Sequence, residues 1–303
     1  MSRPDPGDPL RGPATAAAEH NGRGAVDSSS QPGANFGTAH NPPARGRVDR
    51  FIRRFNGLSH ALAVLLLYAL AATAIGWALA PALWFLALWR GWCDSLPAWV
   101  YWPALGTGFG LAFFIAGFAL LLVVPVYNLV LPTRVRAFSG GYFSIAAVPW
   151  CLHNGLFYLV RFSFLPFVTL TPFGTWFLRA MGMQLGRNAF VNTEFISDPC
   201  LIRLGDDAVI GGSVHLFAHF GGGGHLTVAP VRIGARATIG QKATVMGDVE
   251  IGDDATILPH SVLLPGSQVG PGETWGGVPA RPISHAEMQQ LKALIRGQTA
   301  ASG

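Results

Sequence analysis

Two patterns of apolar and polar positions divide the chain. Between Phe55 and Trp89, and again between Ser95 and Thr133, there is no Asp, Glu, Lys or Arg. The first run contains "ALAVLLLYALAATAIGWALA" (Ala61 to Ala80), the second "ALGTGFGLAFFIAGFALLLVVPVYNLVL" (Ala104 to Leu131). Helices of this length span roughly 30 Å, the thickness of a bilayer's hydrocarbon core. The pattern predicts two transmembrane helices, about 59–81 and 104–131. Only Arg90 and Asp94 are charged between them, and Trp89, Trp92, Trp99, Tyr101 and Trp102 cluster where an aromatic belt would sit. From 142 to 182 the sequence is apolar and aromatic, but Arg161 and several prolines cut it into pieces short for spanning helices. Interfacial or re-entrant helices are expected there, with further spans as the alternative. Together these segments make a membrane domain over 55–182.

The second pattern is a count of six. Ile233, Ile239, Val245, Ile251, Ile257, Leu263 and Val269 follow one another at that interval, and Ala237, Ala243, Val249, Ala255, Ser261 and Ser267 stand four places after the first six. Glycine follows the aliphatic residue at Gly234, Gly240, Gly252 and Gly270. One aliphatic and one small residue per six predict short strands joined by tight turns, three to a coil, stacked at the strand spacing of about 4.8 Å into a triangular prism. The same phrase begins earlier, at Leu185 and Leu204. Between Val191 and Leu204 the register slips by one, and between Leu216 and Ile233 it breaks for longer. Such breaks mark loops leaving the prism. The larger one holds His219 and His225, with His215 at its base, in a Gly-rich excursion that adds no core. The β-helix is expected over 183–283. Ser284 and Glu287 then form an S-x-x-E capping box with Gly297 at the far end, predicting a closing helix over 285–296 in a terminal segment 284–303.

Composition changes this picture in three places. Residues 1–46 are rich in Pro, Gly, Ala and Ser without apolar periodicity, and predict a disordered tail; they lack the layout of a cleaved secretory signal. A net charge of +5 invites a nucleic-acid reading. However, Arg45, Arg47, Arg50, Arg53 and Arg54 precede the first apolar run and Arg134 and Arg136 follow the second. That is the positive-inside pattern, not a nucleic-acid stripe. It predicts a multi-pass protein of the inner (cytoplasmic) membrane with the β-helix facing the cytoplasm. Cys93, Cys151 and Cys200 are isolated, with neither a disulfide framework nor a thiolate metal site.

The hexads, the looped-out histidines and the ending "GGVPARPI" together resemble the left-handed β-helix hexapeptide-repeat acyltransferases, over Leu185 to about Arg296. The segment "DPCLIRLGDDAVIGGSVHLF" followed by "APVRIGARATIG" is similar, more narrowly, to terminal transferase domains of membrane-bound non-ribosomal peptide synthetase-like proteins of the polylysine synthetase type. The synthetases' adenylation and carrier domains have no counterpart in this sequence. The resemblance implies a mixed fold: N-terminal transmembrane helices plus a C-terminal left-handed parallel β-helix with a closing α-helix. It also implies a membrane-tethered acyltransferase that moves an acyl group from a thioester to a hydroxyl or amine.

In that family a histidine beside the extended loop is the general base, and the matching position is His215, with His219 and His225 as fallbacks. Glu194 and Asp206 are candidate orienting carboxylates. The donor is expected to be acyl-CoA, acetyl-CoA foremost, or a phosphopantetheine-bound acyl group. Arg281 matches the family's terminal basic position, and Arg236 and Lys242 stand on repeat spacing as further phosphate contacts. No metal is expected. The implied partners are the lipid bilayer, a polysaccharide, peptide or lipid-linked acceptor, a carrier protein and two further copies of the chain in a homotrimer. Two other classes compete: a non-catalytic membrane scaffold, and a metalloenzyme like the β-helical carbonic anhydrases, whose H-x4-H spacing "HLFAH" misses by one.

Overall fold

The computed structural model describes residues 50, 54, 56–142, 144–290 and 293, all within the unit 33–303. The expected tail over 1–46 and the end of the closing helix lie outside the described residues. Helix α1 (Asn56–Cys93) and helix α2 (Ala98–Val130) pack against each other. Both contain stretches, Ala61–Cys93 and Ala98–Val130, long and apolar enough to cross a membrane. At 1.5 Å per residue each stretch is about 50 Å long, more than a hydrocarbon core requires. Large apolar side chains stand exposed along both, among them Leu65, Trp77, Leu83, Phe109 and Leu129.

The two helices run beyond the spans expected at about 59–81 and 104–131. Helix α1 continues through Trp89 and Trp92, and Trp99 and Trp102 already belong to α2, so the connection is only 94–97. Packing of the helix ends overrides the expected aromatic loop: Trp89 lies over Gly108, where a Cβ would strike its ring, and its Nε1 donates to the Ala104 carbonyl at 2.9 Å.

Strand β1 (Phe138–Gly141) follows, then helices α3 (Ala147–Ser163), α4 (Leu165–Val168) and α5 (Pro172–Ala180). These three cover the open end of the prism as well as touching α2. One continuous core runs from Leu120, Leu121 and Val124 of α2 through Phe157, Phe164, Phe177 and Met181 to Ile196 and the aliphatic column inside the β-solenoid. Phe157 and Phe177 stack at 5.7 Å between the layers. Their opposite face leaves Phe162, Phe167, Leu170 and Phe173 exposed.

The solenoid has three walls of parallel strands. The first is β2 (Gln184–Leu185), β5 (Ile202–Leu204), β10 (Val231–Ile233), β13 (Val249–Ile251) and β16 (Gln268–Val269). The second is β3 (Phe190–Val191), β6 (Val209–Ile210), β11 (Thr238–Ile239), β14 (Thr256–Ile257) and β17 (Thr274–Gly276), closed by the antiparallel β18 (Arg281–Pro282). The third is β4 (Ile196–Ser197), β7 (His215–Phe217), β12 (Thr244–Val245) and β15 (Val262–Leu263).

Val231 pairs with Val249 and Ile239 with Ile257, three hexads on. Leu185 pairs with Leu204, one place further, which is the slip read from the sequence. All seven aliphatic hexad positions from Ile233 to Val269 are buried. Ser284 and Glu287 exchange backbone N–H bonds at 3.2 Å, so the capping box is formed and helix begins at His285.

The long register break is not an irregular loop. It folds into a hairpin of β8 (His219–Gly222) and β9 (His225–Val228), and β1 adds to it as an outer strand, Phe138 opposite Val228 and Gly141 opposite His225. The segment after the second apolar helix therefore clamps the excursion from the prism.

Candidate active site

Strand alternation along β7 and the start of β8 buries Val214, Leu216 and Ala218 in the prism, while His215, Phe217 and His219 stand outside in a row. Their rings stack in sequence, His215 to Phe217 at 5.5 Å and Phe217 to His219 at 5.9 Å. The two end members have different surroundings.

His219 Nδ1 lies 2.6 Å from Asp198 Oδ2, and the Asp198 side chain is fully buried. Asn154 of α3 holds the rest of that aspartate: its Nδ2 donates to Asp198 Oδ1 at 2.6 Å and its Oδ1 accepts from the Asp198 N–H at 3.1 Å. The carboxylate has only acceptors to offer, so this network assigns the proton to His219 Nδ1 and leaves Nε2 as the free lone pair. Trp150, one turn before Asn154, meets the His219 ring edge-on at 5.3 Å. Asp198 sits in the left-handed region, φ 57°, just where the register slips. Aspartate tolerates that backbone better than most residues.

Among the described residues His215 has no such partner. Phe195 packs edge-on against it at 4.9 Å. Its pKa lies below the ordinary value because of burial and then the Arg161 charge, with Glu194 pulling the other way. Glu194 is thus near His215 electrostatically, without a hydrogen bond to it. His225 belongs to the clamp, its Nε2 2.7 Å from Ser139 Oγ of β1. The H-x3-H-x5-H spacing does not converge: Phe217 separates the first two rings and the third faces β1. No group of three potential metal ligands lies together among the described residues.

Asp206, an orienting candidate from the sequence, is not at this site. It lies between the first and second walls and takes a two-pronged contact from Arg187, at 3.0 and 2.8 Å. Arg236 and Lys242 do not share a wall, because the turns of the hexads carry them to successive corners, each with φ 57°. Arg236 is held by Asp254 at 2.7 Å, and Arg281 by Glu287 of the capping box at 2.8 Å, so both charges are already met. A basic cleft that the sequence did not single out, about 550 Å³, is lined by Arg179, Arg203 and Arg232 beside the first wall. In it Arg203 and Arg232 are register partners, and Arg232 also pairs with Glu250.

Residues 230–265 match the family model of the bacterial transferase hexapeptide (six repeats). No curated protein sequence matches the chain. Among solved structures, the chain is similar to a hexapeptide-repeat containing acetyltransferase from Vibrio cholerae, at 23% identity and TM-score 0.32, over 35% of this chain and 63% of that one. It is similar to a maltose O-acetyltransferase from Clostridium difficile 630, at 17% identity and TM-score 0.40, over 50% and 93%. A galactoside acetyltransferase in complex with coenzyme A gives 19% identity and TM-score 0.36, over 44% and 80%. The aligned region thus spans less than two thirds of the Vibrio protein.

Proposed function

We propose that the chain is an acyltransferase of the hexapeptide-repeat type, using His219 as general base to move an acyl group from a thioester to a hydroxyl or amine. The observation that carries this reading is the buried Asp198 on His219 Nδ1, placed where the chain leaves the prism. His215, the position the resemblance favours, then stands four residues away, beyond Phe217, as a wall of the same site.

In the proposed step the acceptor O–H or N–H gives its proton to His219 Nε2 as its heavy atom attacks the thioester carbonyl. The new bond to carbon forms, the C–S bond breaks, and the departing thiolate takes the proton back from the imidazolium. Asp198 stabilises that imidazolium and fixes the ring, as the acid of a triad does. Trp150 and Phe217 pack against the His219 ring on two sides.

Acyl-CoA, acetyl-CoA foremost, is the proposed donor. The narrower resemblance to synthetase-type terminal domains would extend it to a carrier-bound acyl group. For the donor's phosphates the Arg179, Arg203 and Arg232 cleft offers more unmet charge than Arg236 or Arg281, and Lys242 stays a candidate. Sugar or lipid-linked acceptors, a homotrimer and a cytoplasm-facing prism on the inner membrane belong to the same reading. Thiol release from acetyl-CoA by the purified protein, measured against His219→Ala, tests it: the variant is expected to fall to background while still unfolding cooperatively, at a midpoint lowered by the loss of Asp198's partner. Crosslinking in mild detergent checks the trimer.

A further inference from the structure

An apolar cavity of about 640 Å³ lies between α1, α2 and α3, within the range of sites that enclose small ligands. Leu67, Ala78, Ala116, Leu120, Tyr158 and Phe162 are among its walls. A charge lies directly behind two of those walls, Tyr158 and Phe162. The Arg161 guanidinium sits over the Phe162 ring at 4.9 Å and the Tyr158 ring at 5.0 Å, and on its far side over Phe195 at 5.5 Å. Phe195 in turn packs against His215, so ring, guanidinium and ring connect the cavity to the histidine row. Tyr158 makes a second connection, its Oη 2.6 Å from Ser197 Oγ, next to Asp198.

Arg161 is 8% exposed. It donates from Nη1 to the Ile196 carbonyl at 3.3 Å, and its Nε is buried without a hydrogen-bond partner among the described residues. No carboxylate lies within ion-pair distance of it there; Glu194 acts on it only through the field. A buried cation of this kind is costly unless an anion completes it.

We propose that this cavity and Arg161 form the acceptor site for a membrane lipid phosphate: the hydrocarbon chain lies between the helices, Arg161 holds the phosphate, and the group to be acylated reaches His219. The inference rests on the transferase reading and names its substrate class. A guanidinium fits phosphate oxygens by direct hydrogen bonds, and an apolar tail displaces water from walls whose two hydroxyls, Tyr158 and Ser163, already have partners in the protein.

The test uses the full chain in phosphatidylcholine nanodiscs with a diazirine-bearing isoprenyl phosphate and the matching alcohol as probes. The phosphate is expected to label peptides containing Ala116 and Gly155 saturably, competed by unlabelled isoprenyl phosphate and not by inorganic phosphate. Arg161→Gln is expected to weaken the phosphate by about tenfold or more and leave the alcohol unchanged. Ala116→Phe, which leaves Arg161 in place, is expected to weaken both probes, so the result does not depend on one variant folding. Equal labelling by phosphate and alcohol in the unaltered protein, labelling elsewhere, or competition only by long-chain acyl-CoA would each overturn the proposal. If His219-dependent thiol release persists while the phosphate ignores the cavity, the lipid site fails alone. If the phosphate binds as described but no thiol is released with any acceptor, the site stands and the transferase reading falls.

Discussion

Asp198 is fully buried, and both of its oxygens are committed, one to Asn154 and one to His219. Removing the charge while keeping the shape therefore changes chemistry more than packing. Asp198→Asn is expected to cut thiol release by about a hundredfold or more, because an amide allows the wrong imidazole tautomer. His153, beside Asn154 on the same helix, gives a second expectation. Its Nδ1 is 2.8 Å from Asn128 Oδ1, and burial, opposed by the Asp198 charge, pushes its pKa down to about 4. A histidine with a depressed folded pKa contributes stability that is complete above its ordinary value of 6.5 and lost as pH falls toward 4. Thermal unfolding in detergent should weaken by about 3 kcal/mol across that window. His153→Gln should flatten that dependence.

The hexads show why some residues announce themselves in the sequence and others do not. Gly205 and Gly234 lie directly under the backbone of the next coil, so a Cβ at either would enter the Ala235 or Asp253 backbone. Gly205→Ala is expected to destabilise the prism by about 1–3 kcal/mol, read as a lowered unfolding midpoint. The same demand recurs at Gly240 and Gly252 on the hexad spacing, and was legible there. Corner residues are a weaker signal, because Asp, Asn, Arg, Lys and His all occupy the left-handed turns, so Arg236 and Lys242 read as wall residues. The corners and the capping box also hold depressed carboxylates: Asp206 through Arg187, Asp254 through Arg236, Glu287 through Arg281. Each contributes stability present above its ordinary pKa, 3.8 for Asp and 4.5 for Glu, and lost as pH falls through the lower folded value. In His153→Gln, where the histidine's own loss is removed, the unfolding midpoint should accordingly hold near pH 5 and drop below about 4, and 1 M salt should shrink the drop, since these pairs are exposed.

The helices and the prism are one packed body, and this was the least legible feature. Hydropathy marked α1 and α2, and periodicity marked the coils, but nothing local said that α3 to α5 close the prism or that Asn154 would hold Asp198. Those contacts join residues 44 positions apart in the chain. The slip between Val191 and Leu204 was the one local sign, and Asp198 lies inside it. A fragment of residues 183–303 would expose Met183, Ile196 and Ile202 at its open end and lose Asn154. It is expected to aggregate in size-exclusion chromatography and to release no thiol, whereas the full chain in detergent is expected to elute as a discrete species and to release thiol. The most direct measurement is kcat/KM for thiol release from acetyl-CoA by Asp198→Asn and His215→Ala side by side, with unfolding curves for both. The account predicts a loss of about a hundredfold or more for Asp198→Asn and a smaller loss for His215→Ala. Full activity in Asp198→Asn together with none in a folded His215→Ala would contradict it.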